Sequence, residues 1–477
     1  MSRSGTGLSR RGQSGQSLIL VLVTCSILAV LVGTVVRQSL STGSGTTRDA
    51  RGDVALQAAD AGVSRYMSRL VSDPLYWSHY VDQAEDTRLD PTDGNRAYAP
   101  GAAWPAGKTT WTYSTASWTD IQPASDRFGK AQYRLRITPP GAGSSMVTVR
   151  SVGRTLGSGT NTRVRAVQTQ LSPGSVADFQ ALANTGLSYG SGTTTTGKIY
   201  SSENVHHDGT ATGTVYSEKN VGGSSSFLGG RYDSTTSPTI QQLYPSGIPF
   251  SQFTDDLADI RAAATSQSNL FDSSTAKAWL VQLTAAGTAN IWIVTSGNPS
   301  SNLALSSSDC SSSATYSRTV TNYTLMWFVQ PVVIGSGTNP CGSGSLDSVV
   351  DGRVTIGSSD DIYVGGNISY ETSGDDALGL VATKDLLVAS YAPSTLTWRA
   401  ATVAQTGSWG TAGGAGTKSS MTFTGSQAMY KGGNSAMFGT RIYNYDDTLS
   451  SVRPPLFPTI NGTWETAYWR EVDPTAS

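Results

Sequence analysis

The chain has 477 residues, a formal net charge of −1 and only 14% charged side chains. That length allows two or three domains with real cores, but nothing in the charge supplies the clustered Lys and Arg that nucleic-acid binding needs. Abundant Gly, Ser and Thr suit strands and turns better than helix bundles, and recurrent Trp, Tyr, Ile and Val exclude disorder, so a mainly β surface protein is expected.

Taken from the start, Leu18 to Val36 is a 19-residue stretch without a charge, long enough to span a bilayer as a helix. Arg3, Arg10 and Arg11 precede it with no acidic residue, which keeps the N-terminus cytoplasmic. A cleaved secretory signal has a shorter apolar core and a small-x-small site, and "VVRQSLSTG" offers none. The helix is therefore expected to stay as a single-pass anchor. From Leu56 the apolar positions Leu56, Ala59, Val63, Tyr66 and Leu70 alternate steps of three and four, one stripe of an amphipathic helix. Gly43 and Gly45 form a soft joint between the two halves, and Asp73-Pro74 is the stop.

The stretch "RRGQSGQSLILVLVTCSILAVLVGTVVRQSL…DVALQAADAGVSRYMSRL" resembles the N-terminal segment of PilX-type minor pilins of type IV pilus systems. The matching features are a basic leader ending in Gly15, a long apolar helix, and Leu56, Gln57, Ala58, Ala59, Asp60, Ala61 and Gly62 as a variant of the family's Leu/Phe-Gln-Ala-Ala-Glu-Ala-Gly. The resemblance implies a prepilin-type leader over residues 1–15, cut by a prepilin peptidase to leave Gln16 first. It also implies contact with membrane lipid through residues 18–36, partnership with other pilin subunits and an assembly platform, and export to a pilus or the extracellular surface. Major pilins carry a glutamate at the fifth mature position; here that position is Leu20, which suits a low-copy or tip subunit. An ordinary single-pass anchor is the plainer alternative.

Residues 16–73 are thus the membrane and amphipathic helix, and residues 74–173 hold short alternating runs such as "AQYRLRITPP" and "SMVTVRSVGR", expected as a small antiparallel sheet on that helix. Next, "TGKIYSSENV" from Thr196 returns 16 positions later as "TGTVYSEKNV" from Thr212. Direct repetition at so short a period favours stacking of like on like in a β-solenoid, with Ile199 on Val215, Val205 on Val221, and Asn204 and Asn220 at turns. Residues 174–221 are read as the first coils and 346–477 as the remaining coils and a cap. Residues 222–345 are read as an inserted α/β segment that holds a helix ("DDLADIRAAA"), strong strands, and Cys310 and Cys341. In an oxidising compartment those two cysteines would pair, worth roughly 3–4 kcal/mol in the chain-entropy model. Two separate thiols are the alternative. Zinc lacks ligands at the right spacing.

The C-terminal half, "DGRVTIGSSDDIYVGGNISYETSGDDALGLVATKDLLV" with Pro454, Pro455, Leu456, Phe457 and Pro458, is similar to an uncharacterised bacterial domain found behind PilX-like starts. That resemblance implies a right-handed parallel β-helix and carries no activity with it. Asp360, Asp361, Asp375 and Asp376, with Arg353 and Lys384, are the carboxylates a β-helix enzyme would need, but their Ser and Gly neighbours read as solvated turns. Glu203, His206, His207 and Asp208 in "ENVHHDG" also read as a turn, since adjacent histidines point opposite ways on a strand. Trp398, Trp409, Trp464 and Trp469 could stack on sugars but suit core and cap packing better. The expectation is a non-catalytic filament subunit needing no cofactor or metal. The alternatives are an anchored adhesin that binds a surface glycan or protein, and a polysaccharide-active enzyme.

Overall fold

The computed structural model describes residues 45–72, 76, 118–121, 130–138, 146–156, 162–236, 239, 250, 253–296, 310, 313–337, 344–412 and 417–475. The leader, the uncharged run 18–36, Gly15, Gln16 and Cys341 lie outside them. Among the described residues no helix is long and apolar enough to cross a membrane. The architecture is mainly β.

The first unit is a helix on a sheet. Helix α1 spans Gly45–Ser72, and the expected Asp73-Pro74 stop lies outside the described residues. Its predicted stripe faces inward: Ala59, Val63, Tyr66 and Leu70 are buried, whereas Asp53 and Gln57 are exposed. They pack on Tyr133, Leu135, Ile137, Val147 and Val149, the alternating residues of β2 (Lys130–Thr138) and β3 (Val147–Leu156). With β1 (Thr119–Asp120) and β4 (Arg163–Ser175) these form an antiparallel sheet whose fifth member is the C-terminal strand, Thr459–Val472. Residues 346–477 are therefore not all coils and cap, because their last strand returns to the N-terminal sheet. Its pairing partner lies almost 300 residues earlier in the chain, so no local pattern announces it.

The second unit is a stack of parallel strands. Ile199 pairs with Val215, Tyr200 with Tyr216, Ser201 with Ser217 and Val205 with Val221, the 16-residue offset of the repeated phrase. Ile199, Val205, Val215 and Val221 are all buried, each one roof or floor to the next. Full burial of such a side chain is worth roughly 1.5–3 kcal/mol, which one coil alone could not obtain. A third rung follows at the same offset, where Arg231 pairs with Val215 and Tyr232 stacks on Tyr216 at 5.6 Å. It keeps the Gly and Tyr of the phrase and loses the rest.

The segment 222–345 is not one insertion. Leu270–Phe271 pairs in parallel with Thr324–Phe328, and Ala278–Thr284 with Val332–Ile334. Those strands pair on with Arg353–Ser358 and Ile362–Val364, so they are rungs of the same stack. The apolar runs of the segment are interior positions: Met326, Phe328, Val332 and Ile334 join the core of Val354, Ile356 and Ile362. Among the described residues of the segment, helix α2 (Phe253–Ser266) stands outside the stack, with Leu257 and Ile260 against Leu325 and Trp327, as does an antiparallel extension through Thr288–Val294 and Tyr316–Thr319.

From Arg353 the rungs continue through Ala377–Ala382, Thr395–Thr411 and Lys418–Asn434. Lys418–Asn434 then pairs with Ala181–Ala183, and Phe438–Tyr445 with Thr193–Thr195. Among the described residues the chain therefore enters the stack in its middle and runs to one end at Tyr232. It resumes at the opposite end near Leu270 and winds back to where it entered. A column of rings bridges that seam: Trp409 to Tyr443 at 5.9 Å, Tyr443 to Tyr189 at 6.1 Å and Tyr189 to His207 at 4.8 Å.

Candidate functional site

The family-like residues 56–62 occupy the helix–sheet seam, and their small size has a geometric cause. A Cβ on Gly153 of β3 would lie 2.5 Å from the Ala59 amide nitrogen and would overlap the Ala55 carbonyl oxygen. A Cβ on Gly62 would lie 2.5 Å from Ser151 Oγ and 2.6 Å from the Tyr133 ring. Ala58 and Ala59 are buried in the same contact, so the Ala-Ala and Gly of the motif let helix and sheet backbones touch. Leu56 is half-buried at the edge, while Gln57 faces solvent and Ala61 is intermediate. Asp60 instead fastens the C-terminal strand to the helix, its Oδ1 accepting the Trp469 indole N–H at 3.0 Å. Arg165 and Glu471 form a second, two-pronged ion pair between β4 and that strand.

The two units join at a stem where the chain passes into and out of the stack. Ser175 and Asp178 form a reciprocal cap: the Ser175 hydroxyl accepts the Ala177 amide and the Asp178 carboxylate accepts the Ser175 amide. Ser175 Oγ also donates to the Pro458 carbonyl at 3.0 Å. Arg453 reaches Asp178 at 2.7 Å and the Pro173 carbonyl at 2.7 Å, with side chains only 10% and 15% exposed. Burial pushes the Asp178 carboxyl up, and the Arg453 guanidinium works against that shift. The Pro-Pro-Leu-Phe-Pro signature lies here too, with the Pro455 carbonyl accepting from Thr355 and Phe457 buried against Leu182 and Val381. It is the strap from stack to stem.

Asp360, Asp361, Asp375 and Asp376 hold turns. Asp376 accepts the amides of Gly352 at 2.7 Å and Thr372 at 2.6 Å, while the Asp375 carbonyl accepts from Arg353. Asp361 accepts the Asp385 amide from the next rung, and burial pushes its carboxyl up. Asp360 pairs with Lys384 at 2.8 Å. Such carboxylates can cap backbone donors from rung to rung. Glu203 pairs with Lys219 of the neighbouring coil. His206 sits 2.9 Å from Asp208 on the outside, and His207 points inward, as alternation requires. Its ring stacks on Tyr189, lies 3.1 Å from Thr195 Oγ1 and accepts the Gly209 amide at 3.2 Å. Burial drops its pKa to about 4. Among the described residues no group of three His, Cys, Asp or Glu is placed to hold a metal.

Trp398, Trp409 and Trp464 are buried, and Trp469 is 47% exposed. Cys310 is disulfide-bonded, and Cys341 falls outside the described residues. The corners of the repeat belong to serine: Ser201 and Ser217 each accept an amide two residues on and donate to the carbonyl of the preceding coil. Asp233 takes over that place in the third rung. The repeated Tyr-Ser is the sequence signal for this, rather than Asn204 and Asn220.

No protein-family model and no curated protein matches the chain. Among solved structures, the crystal structure of the competence-associated pilin ComZ from Thermus thermophilus superposes over 88% of this chain and 97% of that one, at 14% identity and a TM-score of 0.29. That superposition is too loose to assign a shared fold.

Proposed function

We propose that the chain is a non-catalytic minor-pilin-type subunit of a type IV pilus or related filament. In this reading the helical rod enters the fibre and a right-handed β-helix body is carried outside it. The observation that carries the reading is the seat of α1 on its sheet, behind a sequence of leader type and an uncharged run. A basic leader ending in Gly15 and the uncharged run 18–36 lead into α1, and α1 is seated on its sheet through the small residues of the family-like motif. A subunit built this way can leave the membrane through its first half while its second half stays bound to the body. Leu20 at the fifth mature position removes the carboxylate that docks a major pilin, so a low-copy or tip place is proposed. The stem fits that use, because Arg453, Asp178 and the paired strands hold the body to the rod at one point.

Co-expression of the full chain with a prepilin peptidase tests this. The intact mass is expected to fall by residues 1–15, leaving Gln16 first; an unchanged mass would count against the filament reading and favour a plain anchor.

A further inference from the structure

The seam where the late rungs meet the early ones forms a partly open hollow of about 50 Å³. Its wall comes from three distant parts of the chain and includes Ser188, Tyr189, Trp409, Gln427, Arg441 and Tyr443. Four polar atoms of that wall, the Tyr189 hydroxyl, the Trp409 indole nitrogen, Gln427 Oε1 and Arg441 Nε, are buried with no hydrogen-bond partner among the described residues. Trp409 and Gln427 are each 2% exposed and Tyr189 is 7% exposed. A buried polar group without a partner forfeits its hydration, so several gathered at one hollow call for an explanation.

Their chemistry is specific. Tyr189, Trp409 and Arg441 supply donors, and Gln427 supplies an acceptor. Burial raises the Tyr189 hydroxyl far above its ordinary range, which keeps it a donor. No carboxylate lines the cavity, and Arg441 makes no ion pair among the described residues. The hollow therefore complements a negative group carrying an adjacent hydroxyl. A cavity this size holds about three or four water-sized groups, the size of a carboxylate plus one hydroxyl. The exposed Ser188 and Gly190 also line it, so the remainder of a ligand would extend past them into solvent.

We infer that the coil-stack seam binds a terminal uronic-acid unit of a glycan, with its carboxylate toward Arg441 and a ring hydroxyl toward Gln427. This stands on the stack alone and does not depend on filament membership.

Titration of the purified chain with methyl glucuronide, methyl glucoside and acetate, followed by calorimetry or saturation-transfer NMR, tests the inference. Saturable binding of the glucuronide is expected, with the glucoside and acetate each weaker by about 10-fold or more. Arg441→Gln should weaken glucuronide binding by about 10-fold or more. Gly190→Leu should do the same by covering the mouth; the nearest atom to a Cβ there is Arg441 Nη2 at 3.5 Å, ordinary contact. Circular dichroism and melting qualify both variants, and either one suffices if the other misfolds. The inference is overturned by acetate binding as well as the glucuronide, or by no saturation up to about 10 mM. It is equally overturned if binding survives in a folded variant, or if a crystal soaked with the glucuronide shows only ordered water in the hollow.

Discussion

The helix-bearing sheet and the coil stack are held together in opposite ways. In the sheet unit each contact occurs once: Gly153 meets Ala59, Asp60 meets Trp469, Arg165 meets Glu471. In the stack one contact is made again and again, so a poor copy can be carried by its neighbours. The rung at Arg231 to Asp233 has lost both the apolar residue and the serine of the phrase, yet it still pairs in register. Repetition tolerates drift, and a unique seam does not.

The stem joining the two offers the hardest test of that contrast. Arg453→Ala leaves the Asp178 carboxylate buried without its cation, a loss expected to cost about 3–5 kcal/mol. Chemical denaturation should then separate into two transitions, because the strap no longer couples stack and sheet. A single transition with a loss under about 1 kcal/mol would mean that the pair is peripheral.

The seam of α1 comes next in size. Gly153→Val places atoms inside the Ala55 and Ala59 backbone, and overpacking of this kind costs about 1–3 kcal/mol or more. Hydrogen exchange should show α1 losing protection while Ile199 to Val221 keep theirs. Equal loss in both regions would erase the distinction between a unique seam and a repeated one.

What can be read from the chain follows the same division. The stripe Ala59, Val63, Tyr66, Leu70 and the doubled phrase are local periodic signals, and each places its residues on the observed face. The motif at 56–62 is readable as a pattern, but the reason for its small residues lies in Gly153, almost a hundred positions on. The third rung has a usable signal, since Gly229 and Tyr232 keep the 16-residue offset of Gly213 and Tyr216. The order of the rungs has none. That Gln427 rests on Ala181, that the strands at 278–284 and 324–334 belong to the stack, and that Thr459–Val472 closes the first sheet are all decided by distant partners. The seam cavity shares that limit, because Tyr189, Trp409, Gln427 and Arg441 meet only after the stack has closed.

The gentlest test concerns His207, beside that seam. Its ring is held between Tyr189 and the Thr195 hydroxyl, and burial lowers its pKa from the ordinary 6.5 to about 4. The fold thus favours the neutral ring, while the unfolded chain takes up a proton near 6.5. Between pH 6.5 and 4 the unfolded state binds more protons, so this contribution is complete above 6.5 and is lost as pH falls toward 4. Asp208, held below the usual carboxylate range first by the Ser224 amide and then by His206, acts only in stronger acid, so the two windows separate. His207→Phe keeps a ring in the column and removes the proton. Its stability should be flatter than the parent's over that interval and should differ least near neutrality, apart from the lost Thr195 and Gly209 bonds. A parent and variant with the same slope would place the acid response elsewhere, on the outer carboxylates of the turns.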